Sequence, residues 1–293
     1  MNRKDFVKSL ALLPLTLSPK LESINELLKS KDSTALMPVL FLGHGSPMNA
    51  IEENEFVTGF RNVAKNIQKP KAILCISAHW ETKGTFVTAM EKPKTIHDFG
   101  GFPKELFAVQ YPANGSPELA KETKELIKST EVGLDYQWGL DHGAWSVIKH
   151  LYPKADIPVI QMSIDYTKPT KYHYELSKEL AKLRQKGVLI IGSGNMVHNL
   201  RMVDWQRLNE IGYGYDWALE ARTKMNKFIL EGNHQALINY SANGRAFDLS
   251  IPSPEHFIPL LYTVGLQEKN EKVSLFNDKA LAGSLTMTSV KIG

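Results

Sequence analysis

Short apolar runs alternate with amphipathic stretches along most of this chain. Four of the apolar runs have the length of buried strands and lie at residues 38–43, 72–79, 156–165 and 188–191. Between the first two, Phe56, Phe60, Val63 and Ile67 recur at helical spacing, and Pro70 ends the pattern. This alternation predicts an α/β fold with a mostly parallel central sheet and helices on both of its faces.

The remaining pattern fills in this architecture. Further helices are predicted at residues 117–129, 144–151, 176–183, 216–232 and 257–264, a strand at 85–90, and one or two edge strands within 272–292. Residues 97–112 are rich in Gly, Pro and aromatic side chains, which favours an ordered loop over a site. We therefore predict a single domain over residues 37–293, preceded by an N-terminal extension at 1–36.

The N-terminal extension has some features of an export signal. A basic start that includes Arg3 and Lys4 precedes an apolar stretch at residues 9–18, and Lys4 stands where a twin-arginine signal has its second arginine. No cleavage site with small residues follows. We therefore expect a cytoplasmic protein, with export to the periplasm as the alternative.

Composition and charge narrow the classes of partner. The chain has 293 residues, 43% of them hydrophobic, which is enough for a large core. Its formal charge is only +4, with 35 basic and 31 acidic residues, and no long basic block is present. We expect neither nucleic acid nor a membrane surface as partner. Cys75, the single cysteine, lies in an apolar run and is expected to be a core residue.

Candidate chemistry lies where the apolar runs and turns end. His44, His79, His198 and His256 all occupy such positions. Crossover connections bring the carboxyl ends of parallel strands to one edge of a sheet, so these imidazoles are expected to meet. The pattern therefore predicts a metal ion at the carboxyl ends of the strands.

The ligand set stays open from the residues alone. Glu255 is adjacent to His256, and neighbouring residues of an extended segment point in opposite directions, so only one of the two should face the metal. Two histidines and a carboxylate suit Fe(II), whereas four nitrogen ligands suit zinc. The sequence also leaves open whether His198 is a ligand or a base.

His142 is a candidate for proton transfer. It lies on a glycine-flanked turn beside Asp141, and an unperturbed imidazole titrates near neutral pH. The alternative interpretation is that His142 caps the following helix and that Asp141 only fixes its tautomer. Trp138 and Trp145 are close enough to His142 in sequence to line a pocket for an aromatic substrate.

Six short motifs, in order along the chain, carry a resemblance to a known family. They are GHGSP at 43–47, SAHW at 77–80, DFGGFP at 98–103, LDHG at 140–143, GSGNMVHN at 192–199 and PEHF at 254–257. Together they resemble the 4,5-DOPA extradiol dioxygenases, which belong to the class III extradiol ring-cleavage enzymes. The resemblance runs from Met37 to the C-terminus.

The resemblance implies a site and a reaction. It implies one zinc or Fe(II) ion per chain, held by His44, His79, His198 and His256, with Glu255 as the alternative to His256. It assigns proton transfer to His142 and His198, and contact with the substrate to Ser46, Asn195 and Phe102. The implied partners are a small aromatic diol and O2, and the protein is expected to be a monomer or a small homo-oligomer.

The expected function is therefore extradiol ring cleavage of a catechol such as DOPA between carbons 4 and 5. Two alternatives remain. One is a zinc-dependent hydrolase that uses a metal-bound hydroxide. The other is a protein without catalytic activity that binds peptides on the same fold, as in the Memo family, because a fold does not fix a function.

Overall fold

A computed structural model describes residues 36–208 and 210–293, and its framework is a set of ten strands. These are β1 (Val39–Gly43), β2 (Ala72–Thr82), β3 (Thr85–Thr88), β4 (Val132–Asp135), β5 (Val159–Asp165), β6 (Val188–Gly194), β7 (Val273–Phe276), β8 (Ala280–Leu281), β9 (Leu285–Thr286) and β10 (Ser289–Ile292). Eight of them form one sheet in the order β4-β3-β5-β2-β6-β1-β10-β7, and β8 pairs with β9. The central strands β5, β2, β6 and β1 are mutually parallel. Antiparallel pairs join β3 to β5 and β10 to β1, so the prediction of a mostly parallel sheet is confirmed.

Ten helices accompany the sheet in the described part of the chain. They are α1 (Glu55–Lys65), α2 (Lys104–Phe107), α3 (Pro117–Leu126), α4 (His142–Leu151), α5 (Thr170–Glu179), α6 (Ala181–Gln185), α7 (Asp216–Leu230), α8 (His234–Ile238), α9 (Arg245–Ser250) and α10 (Ile258–Gly265). Among these residues no helix is long and apolar enough to cross a lipid bilayer.

The two faces of the sheet carry separate apolar cores. Leu40 and Leu42 of β1 contribute to a cluster with residues of α1 and α4. Val39, the residue before Leu40 in the same strand, points to the other face and packs in a cluster with residues of α5 and α10. This alternation follows from the period of two of a β-strand. The sheet is therefore covered on both sides, as the sequence predicts.

Several boundaries differ from the sequence-based prediction. Strand β2 continues to Thr82, so His79 lies inside it rather than at its end. The register of β2 against β5 shifts between Ile76 and Glu81, which makes the strand irregular where His79 lies. The sequence also did not predict β4, α8 or α9, each six residues or shorter. Residues 1–35 lie outside the described part, so the export signal stays a prediction.

A buried arginine closes the amino-terminal edge of the parallel strands. Arg184, which precedes β6, is 0% exposed. Its Nε donates to Met37 O at 2.7 Å and its Nη1 donates to Leu266 O at 2.7 Å. Both terminal nitrogens also bind the Glu271 carboxylate, with Nη1 at 2.9 Å. The starts of β1, β6 and β7 are thereby tied together.

Candidate metal centre

Three imidazoles converge at the opposite, carboxyl-terminal edge of the sheet. His44 follows β1 directly, His79 lies in the irregular part of β2, and His256 lies in the turn before α10. One nitrogen of each lies within 4.8 Å of the others. The ring centroids are 5.0 to 5.2 Å apart, and the Nε2 atoms of His44 and His79 are separated by 3.3 Å.

The other ring nitrogen of each of these histidines faces an oxygen atom. The Nδ1 partners are Ser193 Oγ at 3.0 Å for His44, Asp98 Oδ2 at 3.5 Å for His79 and Glu255 Oε1 at 3.1 Å for His256. Oxygen partners of this kind orient metal-binding histidines and fix their tautomer. All three Nε2 atoms are thus left available on the inner side of the cluster.

The tautomer of His44 follows from the hydrogen bonds around Ser193. The Ser193 hydroxyl donates its only proton to the carbonyl of Gly143. It therefore accepts the bond from His44 Nδ1, which must carry the proton, so Nε2 holds a free electron pair. Burial, reinforced by the neighbouring imidazoles, lowers the pKa of His44 well below its ordinary value. His44 is therefore neutral at pH 7, the form that binds a metal.

The spacing of the nitrogens fits a shared ion. Two histidine nitrogens on one tetrahedral metal, each at about 2.05 Å, lie about 3.3 Å apart. The separation of the Nε2 atoms of His44 and His79 has this value. His44 Nε2 has no proton to donate, so its electron pair is directed toward His79 Nε2 and is available to a shared ion. The donor set therefore fits a metal centre.

The turn that carries His256 is fixed against strand β6. Asn195 N donates to His256 O at 2.9 Å. A Cβ on Gly194 would lie only 2.1 Å from the same carbonyl oxygen, so this approach requires glycine. The Asn195 side chain accepts a hydrogen bond from Gly45 N at 3.3 Å and donates one to Thr286 O at 2.8 Å. The structure thus places Asn195 as a link between the loops of His44 and His256.

His198 adjoins this cluster without meeting all of its members. Its ring stacks on that of His256 with centroids 3.6 Å apart and planes 9° apart. It groups with Glu255 and His256 as a second possible ligand set, whereas His44 and His79 are not in that set. Burial, and then the adjacent His256, lowers the pKa of His198 to about 3. His198 is therefore neutral at pH 7.

His142 lies on the other side of the cluster and is held by Asp98. Its backbone N donates to Asp98 Oδ1 at 2.8 Å, and its Nδ1 lies 2.9 Å from Asp98 Oδ2. The rings of His142 and His79 are 3.9 Å apart. Burial opposes ionisation of Asp98, but the bonds from His142 outweigh it and lower the pKa of the carboxyl. Asp98 is therefore a carboxylate that orients both rings.

One interpretation of the sequence was that Asp141 fixes the tautomer of His142. The structure does not support it, because His142 Nδ1 faces Asp98 instead. Asp141 is the N-cap of α4 and accepts a hydrogen bond from Ala144 N at 3.1 Å. It also accepts bonds from Ser77 Oγ at 2.6 Å and Gln161 Nε2 at 2.7 Å. Burial raises the pKa of Asp141, partly offset by these bonds. Its role is to join α4 to β2 and β5.

The predicted pocket residues are less closely associated with the imidazoles. Ser46 is exposed, and its Oγ accepts a hydrogen bond from Met48 N at 3.2 Å. Phe102 packs edge-on against Phe99 at 5.4 Å, and it is Phe99 that contacts the ring of His142, at 5.5 Å. Trp145 is fully buried and supports this loop through Ile96 O at 2.7 Å.

Three residues of the site were not assigned a role from the sequence. Asp98 lies in one of the motifs that carry the resemblance, but nothing in its spacing shows that it reaches His142. Ser193 similarly lies in a motif, two residues after the end of an apolar run. Asn49 Nδ2 donates to His44 O at 2.9 Å and shows no distinguishing pattern at all.

A cleft of about 220 Å³ opens beside His198. It is lined by His198, Asn199, Leu200, Arg201, Pro252, Ser253 and Glu255. A cleft of this size suits a ligand with a single ring. It adjoins the imidazole cluster through His198, whereas His44, His79 and His256 do not line it.

Comparison with known families assigns this fold and site to a class of enzyme. The family described as the catalytic LigB subunit of aromatic ring-opening dioxygenase matches residues 38–287. The chain belongs to this family, and it is an oxidoreductase of the extradiol ring-cleavage class. The resemblance that the six motifs indicated is thereby confirmed.

Individual relatives agree over most of their length. The chain is 44% identical to the 4,5-DOPA dioxygenase extradiol of Escherichia coli strain K12, covering 89% of this chain and 96% of that protein. It is 36% identical to the protein of the same name from Beta vulgaris, covering 86% and 94%. A crystal structure of an uncharacterized protein from Escherichia coli K12 superposes with a TM-score of 0.74 at 40% identity, covering 88% of this chain and all of that one.

Proposed function

We propose that this chain opens the ring of a catechol such as DOPA by 4,5-extradiol cleavage, at one metal ion held by His44, His79 and His256. The observation that carries the proposal is the convergence of one nitrogen from each of these three side chains, with each Nδ1 directed to an oxygen atom. Both atoms of O2 enter the ring-opened product, so the reaction needs no further oxidant or reductant.

The ion is proposed to be Fe(II), with zinc as the alternative. Zinc has no redox chemistry, whereas reaction with O2 requires a metal that can exchange electrons. When bound, the metal supplies Lewis acidity toward the two catechol oxygens and electron exchange with O2. His256 is favoured over Glu255 as the third ligand, because Glu255 Oε1 is already engaged by His256 Nδ1 at 3.1 Å.

His142 and His198 are proposed to handle protons on either side of the substrate. Asp98 holds the Nδ1 of His142, so His142 Nε2 is free to take a proton from a catechol hydroxyl. The Asp98 carboxylate then stabilises the resulting imidazolium. His198, predicted as ligand or base, is assigned here to the role of base because it stacks on His256 and lines the cleft.

Phe99 and the cleft beside His198 are proposed to exclude water from the reacting ring. Phe99 covers the ring of His142, and its loop is supported from below by Trp145. The partners are a small aromatic diol and O2, without nucleic acid or membrane. A monomer or small homo-oligomer in the cytoplasm is proposed, with the periplasm as the alternative compartment.

The test replaces one proposed ligand. In His44→Ala we expect bound Fe(II) to fall from one per chain to near zero, and ring cleavage to fall by a factor of about 1,000 or more. Metal content is measured by elemental analysis, and cleavage by O2 uptake and the yellow ring-opened product. His234→Ala is the matched control, because His234 lies outside the cluster and binds Tyr174 and Gln267.

The alternatives give different results in the same experiment. A metal-free variant that still forms the yellow product would refute the proposed site. Turnover of a substrate without O2 would indicate a hydrolase, and failure of the wild type to bind Fe(II) or zinc at micromolar concentration would favour a peptide-binding protein. No feature of residues 36–208 and 210–293 specifically favours either alternative.

A further inference from the structure

We propose that Arg201 is a specificity-determining residue that binds an anionic group on the side chain of the substrate. Its ligand would be the carboxylate that ends the side chain of a catechol such as DOPA, the substrate proposed above. This inference rests on the proposed function and adds to it the chemical group that is recognised away from the reacting ring.

The position of Arg201 in the cleft is the first observation. The cleft is lined by His198 and Glu255, which adjoin the imidazole cluster, and also by Arg201 and Leu200. Both Arg201 and Leu200 are exposed, whereas His198 is mostly buried. A ligand that fills the cleft therefore contacts both His198, which stacks on His256, and Arg201.

The guanidinium of Arg201 is free to bind. Four other arginines of the described chain pair with carboxylates, whereas Arg245 does not; the pairs are Arg61 with Glu53, Arg184 with Glu271, Arg207 with Glu210 and Arg222 with Asp278. Among the described residues, no hydrogen-bond or ion-pair partner contacts the side chain of Arg201. Its full positive charge is therefore available to a ligand.

The one carboxylate that lines the cleft does not neutralise this charge. Glu255 Oε1 accepts bonds from His256 Nδ1 at 3.1 Å and from Ser253 Oγ at 3.0 Å. Among the described residues, Glu255 forms no ion pair with Arg201. The cleft therefore combines His198, the proposed base, with a cation that has no carboxylate partner, which complements a catechol with an anionic tail.

The backbone of Arg201 is held firmly enough to support recognition. Asn199 Oδ1 accepts a hydrogen bond from Arg201 N at 3.2 Å. Asn199 itself is buried, and its Nδ2 donates to Leu249 O at 2.8 Å while its N donates to Ser284 O at 3.2 Å. Only the guanidinium must be ordered on binding, and its planar fork matches a carboxylate with two parallel hydrogen bonds.

The experiment compares two substrates that differ in the side chain. 3,4-Dihydroxyphenylpropionate has a carboxylate two carbons from the ring, and 4-methylcatechol has none. In Arg201→Gln we expect the ratio of kcat/KM for the first over the second to fall about tenfold, mainly through KM. Arg201→Lys keeps the charge but loses the planar guanidinium that donates two parallel hydrogen bonds. In this variant the kcat/KM ratio should recover in part.

Arg207→Gln is the matched control. It removes the same charge from the neighbouring turn, but Arg207 is already paired with Glu210 and lies over the ring of Tyr213. Its substrate ratio should equal that of the wild type. An unchanged ratio in Arg201→Gln, including an equal loss on both substrates, would overturn the role of Arg201. A wild type that cleaves no catechol would overturn the proposed function as well, so the two failures are distinguishable.

Discussion

The two edges of the parallel sheet bury polar groups in opposite ways. At the amino-terminal edge, each nitrogen of the Arg184 guanidinium has an acceptor, and Glu271 supplies the opposite charge. At the carboxyl-terminal edge, nitrogens of His44, His79 and His256 face one another with no opposite charge between them. The first arrangement is complete within the chain, whereas the second is complete only with a cation.

This difference shows which buried polar groups serve the fold and which serve the reaction. Burial and neighbouring imidazoles lower the pKa of His79, as they do for His44. The cluster therefore gains nothing from protonation and has electron pairs to offer. A satisfied polar network indicates a structural role, and a converging unsatisfied one indicates a binding site.

The largest expected effect is on the amino-terminal edge. Arg184→Met removes the cation beside Glu271, which keeps only the bond from Glu268 N, and the side-chain donors to two backbone carbonyls. This should cost about 3 to 5 kcal/mol in the free energy of unfolding. Urea unfolding measures this loss, and Fe(II) content per folded molecule should not change. Arg61→Met, which breaks the exposed pair with Glu53, should lose far less. An equal loss of unfolding free energy in the two variants would contradict the structural role assigned to the buried Arg184 network.

The second prediction concerns the carboxyl-terminal edge. Addition of Fe(II) at 100 times its Kd should raise the free energy of unfolding of the wild type by about 2.7 kcal/mol, because only the folded chain forms the site. His79→Ala should show no such gain, while Arg184→Met should show all of it. A full gain in His79→Ala, measured by anaerobic urea unfolding, would contradict the ligand assignment.

A smaller effect separates orientation from metal binding. Asp98→Asn keeps the shape of the side chain but cannot stabilise a protonated His142, so kcat should fall about 100-fold while the metal content at saturating Fe(II) stays at one. KM for the catechol should change little. Asp156→Asn, which affects only an exposed pair with Lys69, is the control. A loss confined to KM would instead place Asp98 in substrate binding.

The smallest effect is expected from the backbone contact beside His256. In Gly194→Ala the new methyl group meets His256 O and displaces the turn, so the affinity for Fe(II) should fall about tenfold. Competition with a chelator of known affinity measures this change. An unaltered affinity would show that the turn can move without moving the imidazole.

The elements that position the ligands could be predicted from the sequence because their signals are local. Apolar runs mark β1, β2 and β6, and the histidines follow or end them, so His44, His79 and His198 were all identified as candidates. The role of Asp98 could not be predicted, because it depends on the path of an irregular loop over α4. Strand β4 was missed because four residues at the sheet edge carry too short a pattern.

The choice between neighbouring candidate residues of the site also required the three-dimensional structure. Glu255 and His256 are adjacent in sequence, and only the hydrogen bond between them shows that one supports the other. Asn195 was expected to touch the substrate, yet its amide is engaged by the backbone on both sides. The types of residue in the sequence were enough to identify the region of the site. The hydrogen bonds of the structure were needed to separate the residues that orient the imidazoles from the imidazoles that converge.

One oxygen atom of Asp98 lies 2.9 Å from His142 Nδ1 and 3.5 Å from His79 Nδ1. A single carboxylate thus serves a residue proposed to move protons and a residue proposed to hold the metal. Any gain of positive charge on one ring draws the shared oxygen away from the other. The effects of substitutions at these two histidines should therefore be strongly non-additive. Among natural relatives, a change at one of the two positions should be accompanied by a change at the other.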